Sequence, residues 1–186
     1  MAYIYTIPPE NATNELKKVY EDIKTRRGKL ADVHKIFSLN PDAMLKHMEL
    51  YQSVMFGKSP LKRYQREMMA VIVSIANKCE YCILHHCEAL NHFWKDDKKV
   101  KQLQTNYKSL ELPIADKQLC YYAWDLTKNP KKINQKYIDE LKKAGLNDRT
   151  ILDANLVIAY FNFVNRTVLG LGVYADTKEV TGYNYE

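Results

Sequence analysis

The sequence predicts an all-α protein. Apolar residues recur at intervals of three and four over long runs, only six glycines and six prolines occur in 186 residues, and no β-hairpin pattern is present. Apolar residues at that spacing fall on one face of a helix, and a chain with few glycines and prolines has few helix breaks. The expected fold is a single-domain helical bundle of about seven to nine helices.

Local signals place the helices along the chain. Asn40-Pro41 and Ser59-Pro60 each combine a capping residue with a proline at the first helical position, and Gly145 follows a periodic segment as a C-terminal cap. The expected helices cover about residues 13–26, 40–57, 59–77, 79–94, 98–107, 114–126, 135–144 and 149–168.

Length and composition indicate one domain. The chain is long enough for one hydrophobic core and too short for two comfortable ones, and 46% apolar with 27% charged residues is an ordinary globular balance. We expect one domain over residues 1–186, with its chemistry in about residues 40–110. The polar, tyrosine-rich tail after about residue 172 is either loose or a docking arm.

The charge and the first residues argue against two classes of partner. The net charge is +6, but the basic residues are scattered beside acids, as in residues 95–99, which is typical of solvated helix faces rather than of nucleic-acid binding. No segment has the roughly 20 apolar residues of a membrane span, and the start lacks a signal-peptide pattern. We therefore expect a cytoplasmic protein that binds neither nucleic acid nor membrane.

Cys79 and Cys82 form a Cys-x-x-Cys motif at the predicted start of a helix. The helix dipole and the unsatisfied N–H groups there favour a thiolate, which attacks peroxides and disulfides. Spacing of three brings both sulfurs to one face, where a disulfide can close. In a reducing compartment such a pair is more often catalytic or metal-binding than structural.

Two histidines follow the motif as candidate bases. His86 lies four residues after Cys82 and His85 lies three after it, so either imidazole can reach the thiol proton directly or through one water. Position alone does not separate them.

Glu67 lies on the preceding predicted helix, between the angular positions of apolar residues. A carboxylate that points partly into a core needs a partner, and a proton relay to the thiol pair would provide one. The alternative is a pairing with Arg63 or Arg66 at the surface.

The pattern Glu67, eleven residues, Cys79-x-x-Cys82-x-x-x-His86 resembles the centre of the alkylhydroperoxidase D-like proteins of the carboxymuconolactone decarboxylase superfamily. The stretches at 37–41 and 160–166 are also similar to the peroxidase-related branch of that superfamily. The resemblance thus covers most of the chain.

The resemblance implies an all-α fold of the alkylhydroperoxidase D-like type, homo-oligomers (trimers or hexamers) and peroxidase activity without a metal or organic cofactor. Cys79 and Cys82 would share the attacking and resolving roles, Glu67 and His86 would form the proton relay, and a dithiol or a disulfide reductase would supply electrons. Characterised alkylhydroperoxidases carry a histidine beside the second cysteine, where this chain has Tyr81.

Two other functions fit the same residues. Tyr81 motivates a non-peroxidatic binding or sensing protein that uses the disulfide as a switch. The cysteines and His86 also allow a zinc-stabilised structural protein, although Cys79, Cys82, His86 and Cys87 crowd one helix and no second cysteine pair exists.

The remaining candidates have a simpler interpretation. We expect Cys87 and Cys120 to be buried small hydrophobes. The residues without a supporting constellation are His34, His47 and His92, and those that either close a subunit contact or hold the last helix are Asn162, Asn165 and Arg166.

Overall fold

The computed structural model describes residues 2–174 and 179–185, and within these ranges it contains nine α-helices and no β-strand. The predicted all-α class is therefore confirmed. The helices are α1 (Asn14–Arg27), α2 (Asp32–Lys35), α3 (Pro41–Phe56), α4 (Arg63–Asn77), α5 (Glu80–Trp94), α6 (Asp97–Asn106), α7 (Ile114–Lys128), α8 (Gln135–Lys143) and α9 (Asp148–Leu171).

Helix α4 is the centre of the main hydrophobic core. Nearly every residue from Arg66 to Ala76 is buried, because α5, α7 and α9 pack around it. A helix that is apolar on most of its circumference is stable only when it is enclosed in this way. The core therefore fixes the position of anything that α4 and α5 carry.

A second, smaller core lies between α1 and α3. Leu16, Tyr20 and Ile23 of α1 pack against Met44 and Met48 of α3. Tyr51 of α3 contacts both cores, so it joins the first part of the chain to the α4 bundle.

Most predicted helices are found within a few residues of their expected bounds, but the start of α4 was wrong. The helix begins at Arg63 rather than at Ser59-Pro60. The Ser59 hydroxyl donates to Asp153 at 2.5 Å and accepts from the Leu61 N–H at 3.1 Å, so it holds a connecting loop against α9 instead of capping a helix. The four-residue helix α2 is also present, and it is too short to give a periodic signal.

The described end of the chain, residues 179–185, returns to the region between α1 and α2. Asn184 donates its backbone N–H to the Arg27 carbonyl at 3.0 Å, and Lys29 donates to the Glu179 carbonyl at 2.7 Å. We call residues 179–185 the C-terminal segment. Of the two interpretations of the tail, these contacts favour a docked arm; residues 175–178 lie outside the described residues.

Across the described part of the chain, no helix is long and apolar enough to cross a membrane.

Candidate functional site

A tight corner between α4 and α5 positions the two cysteines. Lys78 ends α4 in the left-handed conformation with φ 58°, and Cys79 is then the N-cap residue of α5. The Cys79 N–H donates to the Ser74 carbonyl at 2.9 Å, which draws the start of α5 against the end of α4. The predicted helix-terminal location of the motif is confirmed.

Both cysteines are reduced and buried, yet only one of them faces a cavity. Cys79 is 0% exposed, whereas Cys82 is 2% exposed and lies on the wall of the cavity described below. A hydrogen bond from the Cys82 thiol lowers the pKa of Cys79. The same bond, together with burial, raises the pKa of Cys82 well above its ordinary value. When the pair loses one proton, these shifts favour the negative charge on Cys79, with Cys82 keeping its proton.

Glu67 and His86 form a buried pair across α4 and α5. His86 Nδ1 lies 2.7 Å from Glu67 Oε2, and Arg63 donates to Glu67 Oε1 at 2.8 Å. Burial alone would raise the pKa of Glu67, but the hydrogen bond and charge of His86, together with Arg63, lower it to about 2. Glu67 is therefore ionised and accepts the Nδ1–H of His86, so Nε2 is the ring nitrogen of His86 that this contact leaves for other partners.

These contacts combine the two alternatives that the sequence left open for Glu67. It does pair with Arg63, but its side chain is only 2% exposed, so the surface location was wrong. Arg66 does not take part: its guanidinium donates to the carbonyls of Gly57 and Leu61 at 2.9 and 3.2 Å.

His85 lies in a different environment from His86. Its ring packs on Tyr81 with centroids 4.4 Å apart, and its buried Nε2 has no hydrogen-bond partner among the described residues. Burial lowers its pKa to about 3, which makes it a poor proton acceptor at neutral pH. The geometry therefore favours His86 as the base.

Tyr81, between the two cysteines, is committed to other contacts. Its buried hydroxyl accepts the Val33 N–H at 3.2 Å and donates to Glu179 at 3.4 Å. Tyr81 thus connects the redox motif to the loop around α2 and to the C-terminal segment. Burial raises the pKa of Tyr81 well above its ordinary value, so the phenol stays protonated at neutral pH.

A cavity of about 90 Å³ opens beside Cys82 and His86. Six of its 18 lining residues are Tyr or Phe and four are His, and the C-terminal segment contributes two of the tyrosines. The lining residues beyond the predicted site are Arg27, Ala31, Val33, His34, His47, Met48, Tyr51, Tyr81, His85, Ala89, Tyr160, Phe161, Val164, Tyr183 and Tyr185.

Several of these residues could not be recognised from the sequence. His34 and His47 were predicted to have no functional setting, yet both line the cavity, and burial lowers their pKa values to about 3 and about 4. His47 Nδ1 lies 3.3 Å from the Tyr160 hydroxyl. No fixed spacing relates α2 and α3 to the cysteine motif, so only the tertiary fold brings these rings to the site.

Asn165 of α9 also belongs to the site. It is fully buried, accepts from Asn77 at 3.1 Å and donates to Ser74 at 3.4 Å, and its hydrogen bond to Cys82 favours the thiolate form of that residue. Of the two roles expected for this stretch, the contacts support holding the last helix: Asn162 accepts from Asn77 at 3.0 Å and from Arg166 at 2.8 Å.

The other two cysteines differ from each other. Cys120 is buried as expected, at 1% exposure, whereas Cys87 is only partly buried at the edge of the core. Among residues 2–174 and 179–185, no three His, Cys, Asp or Glu side chains are grouped so that they could hold a metal ion.

The chain is similar to known proteins in both sequence and fold. A model of the carboxymuconolactone decarboxylase family matches residues 41–106. An uncharacterized peroxidase-related protein from Silicibacter sp. TM1040 has a TM-score of 0.83 and is 26% identical, over 99% of this chain and 93% of its own. Among curated proteins, none matches the chain.

Two further structures share the fold at lower identity. One is the alkylhydroperoxidase core of a peroxidase-related protein from Ralstonia eutropha JMP134, with a TM-score of 0.87 at 20% identity over 96% of this chain and 94% of its own. The other is a debrominase, with a TM-score of 0.78 at 18% identity over 95% of this chain and 96% of its own.

Proposed function

Because the chain belongs to the alkylhydroperoxidase D-like and carboxymuconolactone decarboxylase superfamily, we propose that it is a thiol-dependent peroxidase that reduces hydroperoxides through Cys79 and Cys82. One observation carries the proposal: Cys82, which is hydrogen-bonded to Cys79, shares a cavity wall with a histidine, and a nitrogen of that histidine is held by a buried carboxylate. That arrangement supplies a nucleophile, a neighbouring base and an orienting group.

Access to the cavity supports one assignment of the attacking and resolving roles. The lower pKa of Cys79 favours it as the resting thiolate, but Cys79 is absent from the cavity lining, whereas Cys82 is part of it. Transfer of the Cys82 thiol proton to the Cys79 sulfur, or to Nε2 of His86, makes Cys82 the nucleophile. Cys82 therefore attacks the peroxide and Cys79 resolves the product.

The reaction proceeds in three balanced steps. The Cys82 thiolate attacks the outer oxygen of ROOH, the O–O bond breaks, and the leaving alkoxide takes a proton from the relay to give ROH and a sulfenic acid. The Cys79 sulfur then displaces the hydroxyl, which leaves as water, and a Cys79–Cys82 disulfide forms. Two electrons and two protons from a dithiol or a disulfide reductase restore the pair.

Peroxide consumption with dithiothreitol as reductant tests the proposal. Cys82→Ser and Cys79→Ser should each lose turnover, and Cys87→Ser is the matched control on the same helix outside the cavity lining. Mass spectrometry after one peroxide addition should find sulfenic acid on Cys82 in the Cys79→Ser variant. If both site variants turn over like the wild type, the proposal is wrong.

A second candidate is a redox switch without peroxidase turnover. The Tyr81 hydroxyl contacts Val33 and Glu179. Tyr81 lies between the two cysteines, so formation of the Cys79–Cys82 disulfide can move Tyr81 and displace the C-terminal segment. This function predicts very slow peroxide consumption together with a change in oligomer or partner affinity on oxidation. The third interpretation, a zinc-stabilised structural protein, requires equimolar metal in the purified protein.

We further propose that the chain forms a homo-oligomer, either a trimer or a hexamer. The resemblance to the alkylhydroperoxidase D-like proteins implies such an assembly. Three large apolar residues, Leu152, Leu156 and Phe163, are 42% to 54% exposed and fall within one narrow stripe of α9. Leu156→Glu should shift the mass in light scattering toward the monomer. Leu169→Glu, on another side of the same helix and also exposed, is the control.

A further inference from the structure

Arg27, the last residue of α1, is a buried cation on the cavity wall. It is 7% exposed, and Nη1 donates to the Asn184 carbonyl of the C-terminal segment. No carboxylate among the described residues lies within ion-pair distance of its guanidinium. A guanidinium has five N–H donors, so this one hydrogen bond leaves most of them without a protein acceptor in the described structure.

The other two arginines near the site are differently placed. Arg63 pairs with Glu67, and Arg66 donates to three backbone carbonyls, those of Val54, Gly57 and Leu61. The guanidinium carbon of Arg27 lies 5.2 Å from the Tyr51 centroid and 4.9 Å from that of Phe56, a ring that Arg63 also approaches, at 4.3 Å. A buried charge is costly without a counter-charge, and ring faces offset only part of that cost.

The remaining ionisable groups on the cavity wall do not balance this charge. The histidines His34, His47 and His85 are neutral at pH 7, since burial lowers their pKa values to between about 3 and about 4. The Glu67 carboxylate is already paired with Arg63 and His86. The cavity wall therefore carries a positive charge at Arg27, and the other described groups that line the cavity do not neutralise it.

We propose that Arg27 is an anion-binding residue and that the cavity takes a compact organic substrate with a carboxylate or a similar anionic group. The anionic group pairs with the guanidinium, and the aromatic wall of Tyr51, Tyr160 and Phe161 contacts the carbon chain. The cavity volume of about 90 Å³ suits a short carbon chain. The idea that the reacting end is a hydroperoxide rests on the proposed function, but the anion site does not.

Binding of butyrate and butyramide, two probes of nearly equal shape, tests the site without turnover. Ligand-detected NMR on the reduced protein at pH 7 should show butyrate binding about tenfold more tightly than butyramide, as expected for a charge-assisted contact. Arg27→Gln should abolish the preference, and Arg27→Lys should keep part of it. Arg26→Gln is the matched control, because Arg26 is exposed and pairs with Asp22 at 2.9 Å.

A purely structural role for Arg27, holding the C-terminal segment through Asn184, predicts a different result: Arg27→Gln would weaken both probes equally. That outcome, or equal affinities in the wild type, would overturn the proposal. If Arg27→Gln does not fold, a salt titration of the wild type tests the anion site instead. Added salt should weaken the binding of butyrate by screening and leave the binding of butyramide unchanged. A butyrate preference in a protein that consumes no peroxide would leave the anion site standing and remove the peroxidase.

Discussion

The two walls of the cavity differ in how they are built. One wall, which we call the reactive wall, belongs to α4 and α5. Two helices joined at a tight corner hold its residues Glu67, Cys82 and His86. The rest of the lining, which we call the substrate wall, includes Arg27, His34 and Tyr183 from three distant parts of the chain. The comparison teaches that the reactive groups are placed by local spacing, whereas the surface that meets the substrate is placed by tertiary packing.

The largest expected effect separates the two histidines on the reactive wall. His86→Gln should lower peroxide turnover by about 100-fold, the usual contribution of a positioned general base. His85→Gln should change it less than about threefold, because His85 has no carboxylate hydrogen-bonded to it among the described residues and its pKa is about 3. The measurement is peroxide consumption under saturating dithiothreitol. Equal losses in the two variants would contradict the assignment of His86 as base.

The ion pairs of Glu67 should also affect the unfolding free energy at low pH. The folded pKa of about 2 lies below the ordinary 4.5, so the ionised pair stabilises the fold fully above pH 4.5 and progressively less as the pH falls toward 2. The shift corresponds to about 3 kcal/mol of unfolding free energy. Urea unfolding across this range should show the loss in the wild type and a flatter profile in Glu67→Gln.

Glu80→Gln is the control for that experiment, because Glu80 is exposed at the start of α5. Its profile should follow the wild type. A Glu67→Gln profile as steep as that of the wild type would mean that other groups carry the acid transition.

Removal of the C-terminal segment should open the substrate wall of the cavity. A chain that ends at Tyr174 lacks Tyr183 and Tyr185, so the cavity beside Cys82 should become more open. We expect iodoacetamide to modify Cys82 about tenfold faster, as for a site that no longer needs local opening. Peptide mapping over time gives the rate, and Cys87, which does not line the cavity, is the internal control. Unchanged Cys82 kinetics would show that the segment does not limit access.

The smallest effect is expected at Tyr81. Tyr81→Phe removes the hydroxyl that contacts Val33 and Glu179 but keeps the ring against His85. Unfolding free energy should fall by about 1 kcal/mol, the net value of one hydrogen bond. Turnover should stay within about twofold, because the phenol donates to Glu179 rather than to the Glu67–His86 pair. A large loss of turnover would place Tyr81 in the relay.

The same contrast explains which parts of the molecule could be predicted from sequence. Helix period and capping residues identified the major helices, and the spacing of Cys79, Cys82 and His86 put them on one helix at its start. Glu67 was recognisable because a carboxylate interrupts an apolar face. The start of α4 was not recognisable, because Ser59-Pro60 has the residues of a cap while its hydroxyl is used by Asp153.

Residues of the substrate wall gave no comparable signal. Arg27 follows a run of charged residues at the end of α1, and nothing in its neighbours distinguishes it from the exposed Arg26. Asn165 could be assigned to a contact but not to Cys82. The packing of α1, α3, α9 and the C-terminal segment brings these residues to the site.

The most direct test of the central claim is one equivalent of hydrogen peroxide added to the fully reduced protein, followed by peptide mapping of its four cysteines. The proposed mechanism predicts one Cys79–Cys82 disulfide per peroxide consumed, with Cys87 and Cys120 still reduced. Peroxide that leaves all four thiols intact, or that oxidises the partly exposed Cys87 before the pair, would contradict it.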